Sequence, residues 1–399
     1  MSFIERCFPI VVDNQNYLHL DFSLVAKILS SSELNIHSEI EVFKAAITWI
    51  KHNSEERSKY AKQLLLKVRL NLLSEGALKH MLDCSLLLTE NIECIKILLN
   101  QKCFYPAKTD KYYTNRYCCQ NNFNILVCGG TNEKKIVVRD VHQVDGNTLK
   151  YVKNVSQMKA ERTSFEAVCL KGEVYVFGGH DNCKRLLISV EKYSPSTNNW
   201  NKVTDMFDQR MFFCTCAFID KIYVFGGFCG AYFLTTNSCL EFDRKEKSWK
   251  KVSEMNVARN SAACTVFQGN IVVAGGKDGY GNVLNTVQLY DVFADKWSPM
   301  SNMIDHNRHH SLVTVKDKLF VIGIRLEVYD NVCRKFIVIK MPIVRCLYKA
   351  ISIGNKILFT QSNCSIMICY NIEENKWSKE LCEATNFLKG SSCTKLFCY

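Results

Sequence analysis

EVYVFGGH (residues 173–180), VEKYSPSTNNW (190–200) and MFDQR (206–210) form the stretch on which the fold of this 399-residue chain turns. A β-branched and aromatic run ends in the pair Gly178-Gly179. A second apolar run ends in Tyr193, and Trp200 follows seven residues later. Met206 then stands four residues before Arg210. Short apolar runs bounded by Gly, Asn, Ser and Pro are strand and turn signals. Each landmark is weak alone, so the question is whether all three recur together.

They do. Gly-Gly pairs also stand at Gly129-Gly130, Gly226-Gly227 and Gly275-Gly276, so that successive first glycines lie 49, 48 and 49 residues apart. Each pair closes a hydrophobic run, at 125–128, 174–177, 222–225 and 271–274. The seven-residue aromatic spacing returns in Phe242/Trp249, Tyr290/Trp297 and Tyr370/Trp377, and with relaxed chemistry in Tyr329/Phe336 and Val144/Tyr151. Met-x-x-x-Arg returns in Met158/Arg162, Met255/Arg259 and Met341/Arg345, and Met303/Arg308 fits with one inserted residue. A fixed period near 50 marks an array whose units bury their faces only against neighbours. The glycines admit close backbone approach, because they carry no Cβ. Tyr and Trp are expected to fill the space between units, Trp249 among them. The recurrent arginines are expected to be structural.

Together the three landmarks resemble the kelch repeat over residues 122–399. The resemblance implies a six-bladed β-propeller of four-stranded antiparallel blades. Two blades are eroded. Gly323-Ile324 replaces one Gly-Gly pair with almost no loop after it, and Thr360-Gln361 replaces another. No opening strand precedes Phe123, and residues 391–399 have no blade of their own. That last run is expected to supply the missing strand and close the ring, removing two exposed sheet edges.

Upstream the period changes. Leu24, Ile28 and Leu29, then Val42, Phe43, Ala46, Trp49 and Ile50, then Leu64, Leu65, Val68 and Leu72 fall at helical spacing, continued by Leu78, Met81 and Leu82. Ser38 before Glu39 and Glu41 suits a helix start, and Ser74 is a second candidate cap. Residues 1–103 therefore read as helical. Residues 104–121, polar and tyrosine-rich with Cys118-Cys119 as two thiols, read as a linker. The fold class is α plus all-β, multidomain. Leu29 to Ile36, Glu39, Val42-Phe43, Ala45, Trp49 and Val68-Arg69-Leu70 resemble the BACK domain of the BTB–BACK–kelch family. That resemblance implies a substrate adaptor of a cullin-3 RING ubiquitin ligase, the propeller holding the substrate. A BTB domain and the opening BACK helix pair are not found in these residues, so this chain alone is expected not to dock the cullin. An actin-binding or cytoskeletal kelch protein is the alternative.

Composition sets further bounds. Hydrophobic residues at 47% and charged residues at 23% fit a globular protein. Residues 1–10 lack a signal-peptide pattern, and no apolar run is long enough to span a membrane. The 21 cysteines have no repeating spacing and read as buried thiols in a reducing, cytoplasmic setting. The net charge of +12 favours an acidic partner, while the dispersed Lys and Arg argue against nucleic acid. His306, His309 and His310 lack metal-ligand spacing, and Gly275-Gly276-Lys277 is not a phosphate loop. No cofactor and no catalysis are expected.

In propellers of the family that the repeat resembles, ligands sit on the rim at one end of the channel. The resemblance implies three sets of rim residues. After the glycine pairs stand Thr131, His180, Phe228 and Lys277. The following loops hold Arg185, Tyr232, Phe233, Tyr280 and Asn282. After the arginines stand Thr163, Met211, Phe212, Asn260, Ser261, His309 and His310. Aromatics with Arg185 and Lys277 beside them suit a protein partner, specifically a short acidic peptide with an apolar anchor.

Overall fold

The computed structural model describes residues 2–36, 38–73, 75–83, 94, 97, 123–132, 134–146, 148–315, 318–340, 349–360, 366–381 and 392–397. Ser74, the 104–121 segment with Cys118-Cys119, and Arg345 lie outside these residues. The chain forms two compact units, one helical and one all-β.

In the helical unit, the Asp21 side chain accepts the Leu24 N–H at 2.9 Å and opens the helix Phe22–Ser30. Its buried face is Val25, Ile28 and Leu29, with Leu24 only half-buried. Ser38 and Glu41 form a capping box on the helix Glu39–His52, so two orphan N–H groups are satisfied reciprocally. That helix buries Val42, Phe43, Ala46, Trp49 and Ile50, the expected stripe. The Trp49 indole donates to the Leu20 carbonyl at 2.9 Å, and the Arg57 guanidinium lies 4.1 Å over its ring.

Among the described residues, the β unit contains six four-stranded antiparallel sheets and one small three-stranded sheet. The second runs Glu166–Leu170, Glu173–Phe177, Ser189–Ser194 and Asn199–Asp205. The third runs Cys214–Phe218, Lys221–Phe225, Cys239–Asp243 and Ser248–Val252. The fourth begins at Ala263–Phe267, the fifth at Ser311–Val315 and the sixth at Lys349–Ile353, each in simple chain order. The first sheet differs. Its strands Phe123–Cys128, Val141–Asp145 and Tyr151–Asn154 are joined by Ser392–Phe397, which pairs antiparallel with Phe123–Cys128 from Phe123↔Phe397 to Cys128↔Ser392.

The seven-residue aromatic spacing is a hairpin register. Tyr193 faces Trp200, Phe242 faces Trp249, Tyr329 faces Phe336 and Tyr370 faces Trp377 across the third and fourth strands. Such cross-strand pairs are the unit of sheet stabilisation. Neighbouring sheets then share a core: Phe177 meets Trp249 at 5.9 Å between ring centroids, and Phe225 meets Trp297 at 5.6 Å. Trp200 is fully buried and donates to the Ser156 carbonyl at 2.8 Å, as Trp297 does to Ser253. Trp249 departs from the expected role: it is half-buried, and its indole N–H has no hydrogen-bond partner.

Arg162, Arg210 and Arg259 are fully buried and donate to the carbonyls of Gly178, Gly226 and Gly275 at 3.0, 3.1 and 3.0 Å. Each guanidinium thus holds the glycine turn sixteen residues downstream. A side chain at Gly178 would put Cβ 2.6 Å from the Arg210 carbonyl oxygen and 2.9 Å from the Phe213 ring, at φ +55°. The fourth arginine of the pattern is corrected. Asn307, not Arg308, occupies the position: its carbonyl accepts the Gly276 N–H at 2.8 Å, as Arg162, Arg210 and Arg259 accept from Gly130, Gly179 and Gly227. Its side-chain oxygen accepts the Ile324 N–H at 3.0 Å, and Arg308 is exposed. The motif there is Met303-x-x-x-Asn307, with no insertion. The shortened hairpin Gly323-Ile324-Arg325 comes close enough for a short amide to replace the long guanidinium, and a Cβ on Gly323 would collide with that amide.

Candidate functional site

Two residues beyond each buried Arg or Asn, the backbone turns left-handed: Ser164 at φ 57°, Phe212 at 54°, Ser261 at 54° and His309 at 50°. Non-glycine residues adopt this conformation at a cost of about 1–2 kcal/mol each. Here a relay of main-chain bonds holds them. Phe212 donates to the Ser164 carbonyl at 3.2 Å, Ser261 to Phe212 at 2.7 Å, and His309 to Ser261 at 2.9 Å. The relay steps through the connectors into the second, third, fourth and fifth sheets and gathers their side chains. Such retained strain clusters at functional sites.

The residues after the glycine pairs form the next layer. His180 bridges Thr163 and Leu186, Phe228 pairs with Met211 and Thr235, and Lys277 bridges Asn260 and Val283. Thr131 bridges Val137, and its hydroxyl lies 3.5 Å from that of Thr163. Two of the three predicted sets therefore interleave as small three-stranded ladders, with the loop set returning beside them. Phe212 makes edge contacts with Phe228 at 6.2 Å and with His309 at 5.4 Å. Tyr232 and Tyr280 are 87% and 95% exposed, so they stand out from the surface instead of packing into it. Phe233 and Leu234 are exposed beside Tyr232.

Three predicted site residues have other roles. Asn260 is buried: its amide donates to the Thr235 hydroxyl at 3.0 Å, and its oxygen accepts from the Ser261 hydroxyl at 3.0 Å. It locks the relay and presents nothing outward. His310 is buried where the second and third sheets place Phe165 and Phe213, against the glycine pair. Both its ring nitrogens lack partners, and burial pushes its pKa down to about 3, so it is a neutral core residue. Arg185 is exposed but already paired with Asp181 at 2.7 Å. Asp181 also accepts the N–H groups of Cys183 and Arg185, each at 2.9 Å. Asp278 anchors its own loop in the same way, on the N–H groups of Tyr280 and Asn282. These two aspartates escaped the sequence reading, although an Asp four residues before Arg185 or Asn282 in a glycine-led turn is a visible turn signal.

Of the three cations that act on His309, Lys277 and Arg308 have no ion pair among the described residues, whereas Lys349 pairs with Glu166 at 2.6 Å. Burial pushes the Cys214 and Cys264 thiols well up, so both stay protonated and poorly nucleophilic. The face is an aromatic surface with a cationic edge, suited to adhesion.

Two family models match the chain. Residues 115–323 match the KLHDC2/KLHL20/DRC7 Kelch-repeats domain, and residues 1–83 match BTB And C-terminal Kelch. Kelch-like protein 35 of Mus musculus is 27% identical over 336 residues, covering 81% of this chain and 57% of the relative. Kelch-like protein 25 of Xenopus tropicalis is 22% identical, covering 93% and 66%. Kelch-like protein 26 of Danio rerio is 21% identical, covering 99% and 70%. The chain thus spans between 57% and 70% of the length of these relatives.

Proposed function

We infer function from one premise: this chain belongs to the kelch-like family of BACK and kelch-repeat proteins. We propose that its six sheets are the blades of one propeller, joined through the pairing of its first and last strands. The face carrying the left-handed relay binds a protein partner. One observation carries this reading. Phe212 touches both Phe228 and His309, which brings side chains of the third and fifth sheets together, and Tyr232 and Tyr280 stand exposed in the loops that follow Phe228 and Lys277. Clustered aromatics flanked by cations are what protein hot spots use.

In the whole protein this face would be the non-catalytic substrate arm of a cullin-3 RING ubiquitin ligase, with the cullin contact made through a BTB domain. The net charge of +12 and the unpaired Lys277 and Arg308 favour a partner segment containing Asp or Glu. Arg185 is no part of that attraction, because Asp181 neutralises it. Proximity labelling in cells with the full chain, beside a Phe228→Ala, Tyr232→Ala form, tests the reading. The expected result is a set of substrate candidates that is lost in the double variant, joined by ubiquitin-ligase subunits only when a BTB domain is supplied. An identical set for both forms would sink it, and labelled actin filaments would move the chain to the cytoskeletal class.

A further inference from the structure

His309 sits where the aromatic and cationic parts of this face meet. Its N–H is bonded to Ser261, its ring edge contacts Phe212, and Lys277 is bridged to Asn260 one residue from Ser261. Arg308 precedes it in the chain and is exposed. We propose, resting on the partner-binding reading above, that this face is a proton-linked site: an acidic side chain seated between Lys277 and Arg308, with an apolar neighbour on Phe212 and Phe228, brings a proton onto His309.

The argument is electrostatic. Partial burial of the ring, then Arg308, Lys349 and Lys277, hold the His309 imidazole below its ordinary range, so it is neutral in the free protein at neutral pH. Among the groups around it, His310 is neutral, and the connectors at Phe212 and Ser261 carry the buried cations Arg210, which pairs with Asp208, and Arg259. Glu166 already pairs with Lys349. The cations that discourage the proton are the ones a bound carboxylate would neutralise. A carboxylate arriving there lifts the imidazole's proton affinity, and by reciprocity proton uptake tightens binding. Histidine is the side chain whose charge such shifts move through the physiological range. Asp or Glu stays ionised over that range, so the linkage belongs to His309 and not to the ligand.

The test uses the full chain and the capped peptide acetyl-Glu-Phe-Glu-Leu-Glu-amide, with acetyl-Gln-Phe-Gln-Leu-Gln-amide as the neutral control. Binding is followed by calorimetry in two buffers of different ionisation enthalpy, from about pH 7.5 to about pH 5.8. The acidic peptide is expected to bind about threefold or more tightly at the lower pH, with net proton uptake. In His309→Asn, whose side chain tolerates the left-handed backbone but does not titrate, both effects should vanish. Lys277→Met should weaken the acidic peptide and leave the neutral one alone. Binding without proton uptake, or proton uptake that persists in His309→Asn, overturns the linkage. Failure of the acidic peptide to bind overturns the ligand chemistry. If cellular partners are then still lost on Phe228→Ala, the partner-binding reading stands without it.

Discussion

The Arg162 guanidinium and the Glu191 carboxylate meet at 2.6 Å with both side chains out of solvent. The same carboxylate accepts the N–H groups of Lys159 and Ala160 at 2.6 and 3.0 Å, while the guanidinium holds the Gly178 carbonyl. One ion pair thus ties the connector that precedes the second sheet to the glycine turn inside it. Removing one partner of a buried pair strands the other, which costs about 3–5 kcal/mol. Glu191→Ala should therefore lower the unfolding free energy by that amount in urea titrations. Glu191→Gln, which loses the charge but keeps one acceptor oxygen for an N–H group, should lower it less. Equal losses for the two would show that the charge carries the whole effect and the retained acceptor contributes nothing.

His310 gives the β unit an acid-labile point. Its folded-state pKa is about 3, below the ordinary histidine value of about 6.5. The unfolded chain therefore binds a proton through this window that the folded chain refuses. The stability involved is present in full above the upper value and is lost as pH falls through the window, by at most about 1.4 kcal/mol per pH unit. His310→Phe installs the residue that Phe165 and Phe213 place at the same point of other repeats. The variant should melt at least as high as the parent at neutral pH and fall off less steeply between about pH 6.5 and about pH 4. Parallel pH profiles for the two proteins would refute this.

The burial of the tryptophans was only partly legible. The spacing of Tyr193 and Trp200 fixed the hairpin register, because facing residues of a tight hairpin have a set separation. It could not distinguish a tryptophan covered by a neighbouring connector from one left half-open. Trp200 is covered and bonded to Ser156, whereas Trp249 is half-open and unbonded. Trp200→Ala should cost about 3–5 kcal/mol, and Trp249→Ala clearly less. Denaturant midpoints that rank the two the other way would contradict this assignment.

The rest of the misreadings have a common cause. A Met-x-x-x-Arg pattern defined by residue type reaches Arg308 beyond Met303 and passes over Asn307. The conserved element of the geometry is a main-chain carbonyl, and Asn307 supplies it without resembling arginine. His310 is expected on the rim from its place just after Arg308, yet it occupies the position that Phe165 and Phe213 take in two earlier repeats and Ala262 takes in the one before it. The places of Phe212 and Phe228 follow from their offsets from Arg210 and Gly227, which the repeat fixes. The contact of Phe212 with His309 depends on backbone bonds between sheets, which no spacing within one repeat encodes.

Strand pairing between the two ends of the β unit carries its own test. Ser392–Phe397 covers one edge of Phe123–Cys128 over six residue pairs. Deleting residues 391–399 leaves that edge open and exposes unpaired N–H and C=O groups. The truncated chain should melt more than about 5 °C lower and associate at high concentration. A melting temperature equal to that of the full chain would remove any closing role for this strand.

The binding face should separate two kinds of mutational effect. Lys277 is a cation without an ion pair, whereas the Arg185 charge is already cancelled by Asp181. With a captured acidic partner, Lys277→Glu should slow association by about tenfold at low salt, with a smaller change at physiological ionic strength. Arg185→Gln should change neither rate appreciably, because it removes a cation that the ligand hardly senses. Phe228→Ala removes apolar contact made only after docking, so its effect should fall on dissociation. It should also loosen Phe212, whose ring rests against it. Surface plasmon resonance on the purified partner reads all three. If Arg185→Gln proves as damaging as Lys277→Glu, then the Asp181 pair opens on binding, and the cationic edge extends to the second sheet as well as the fourth.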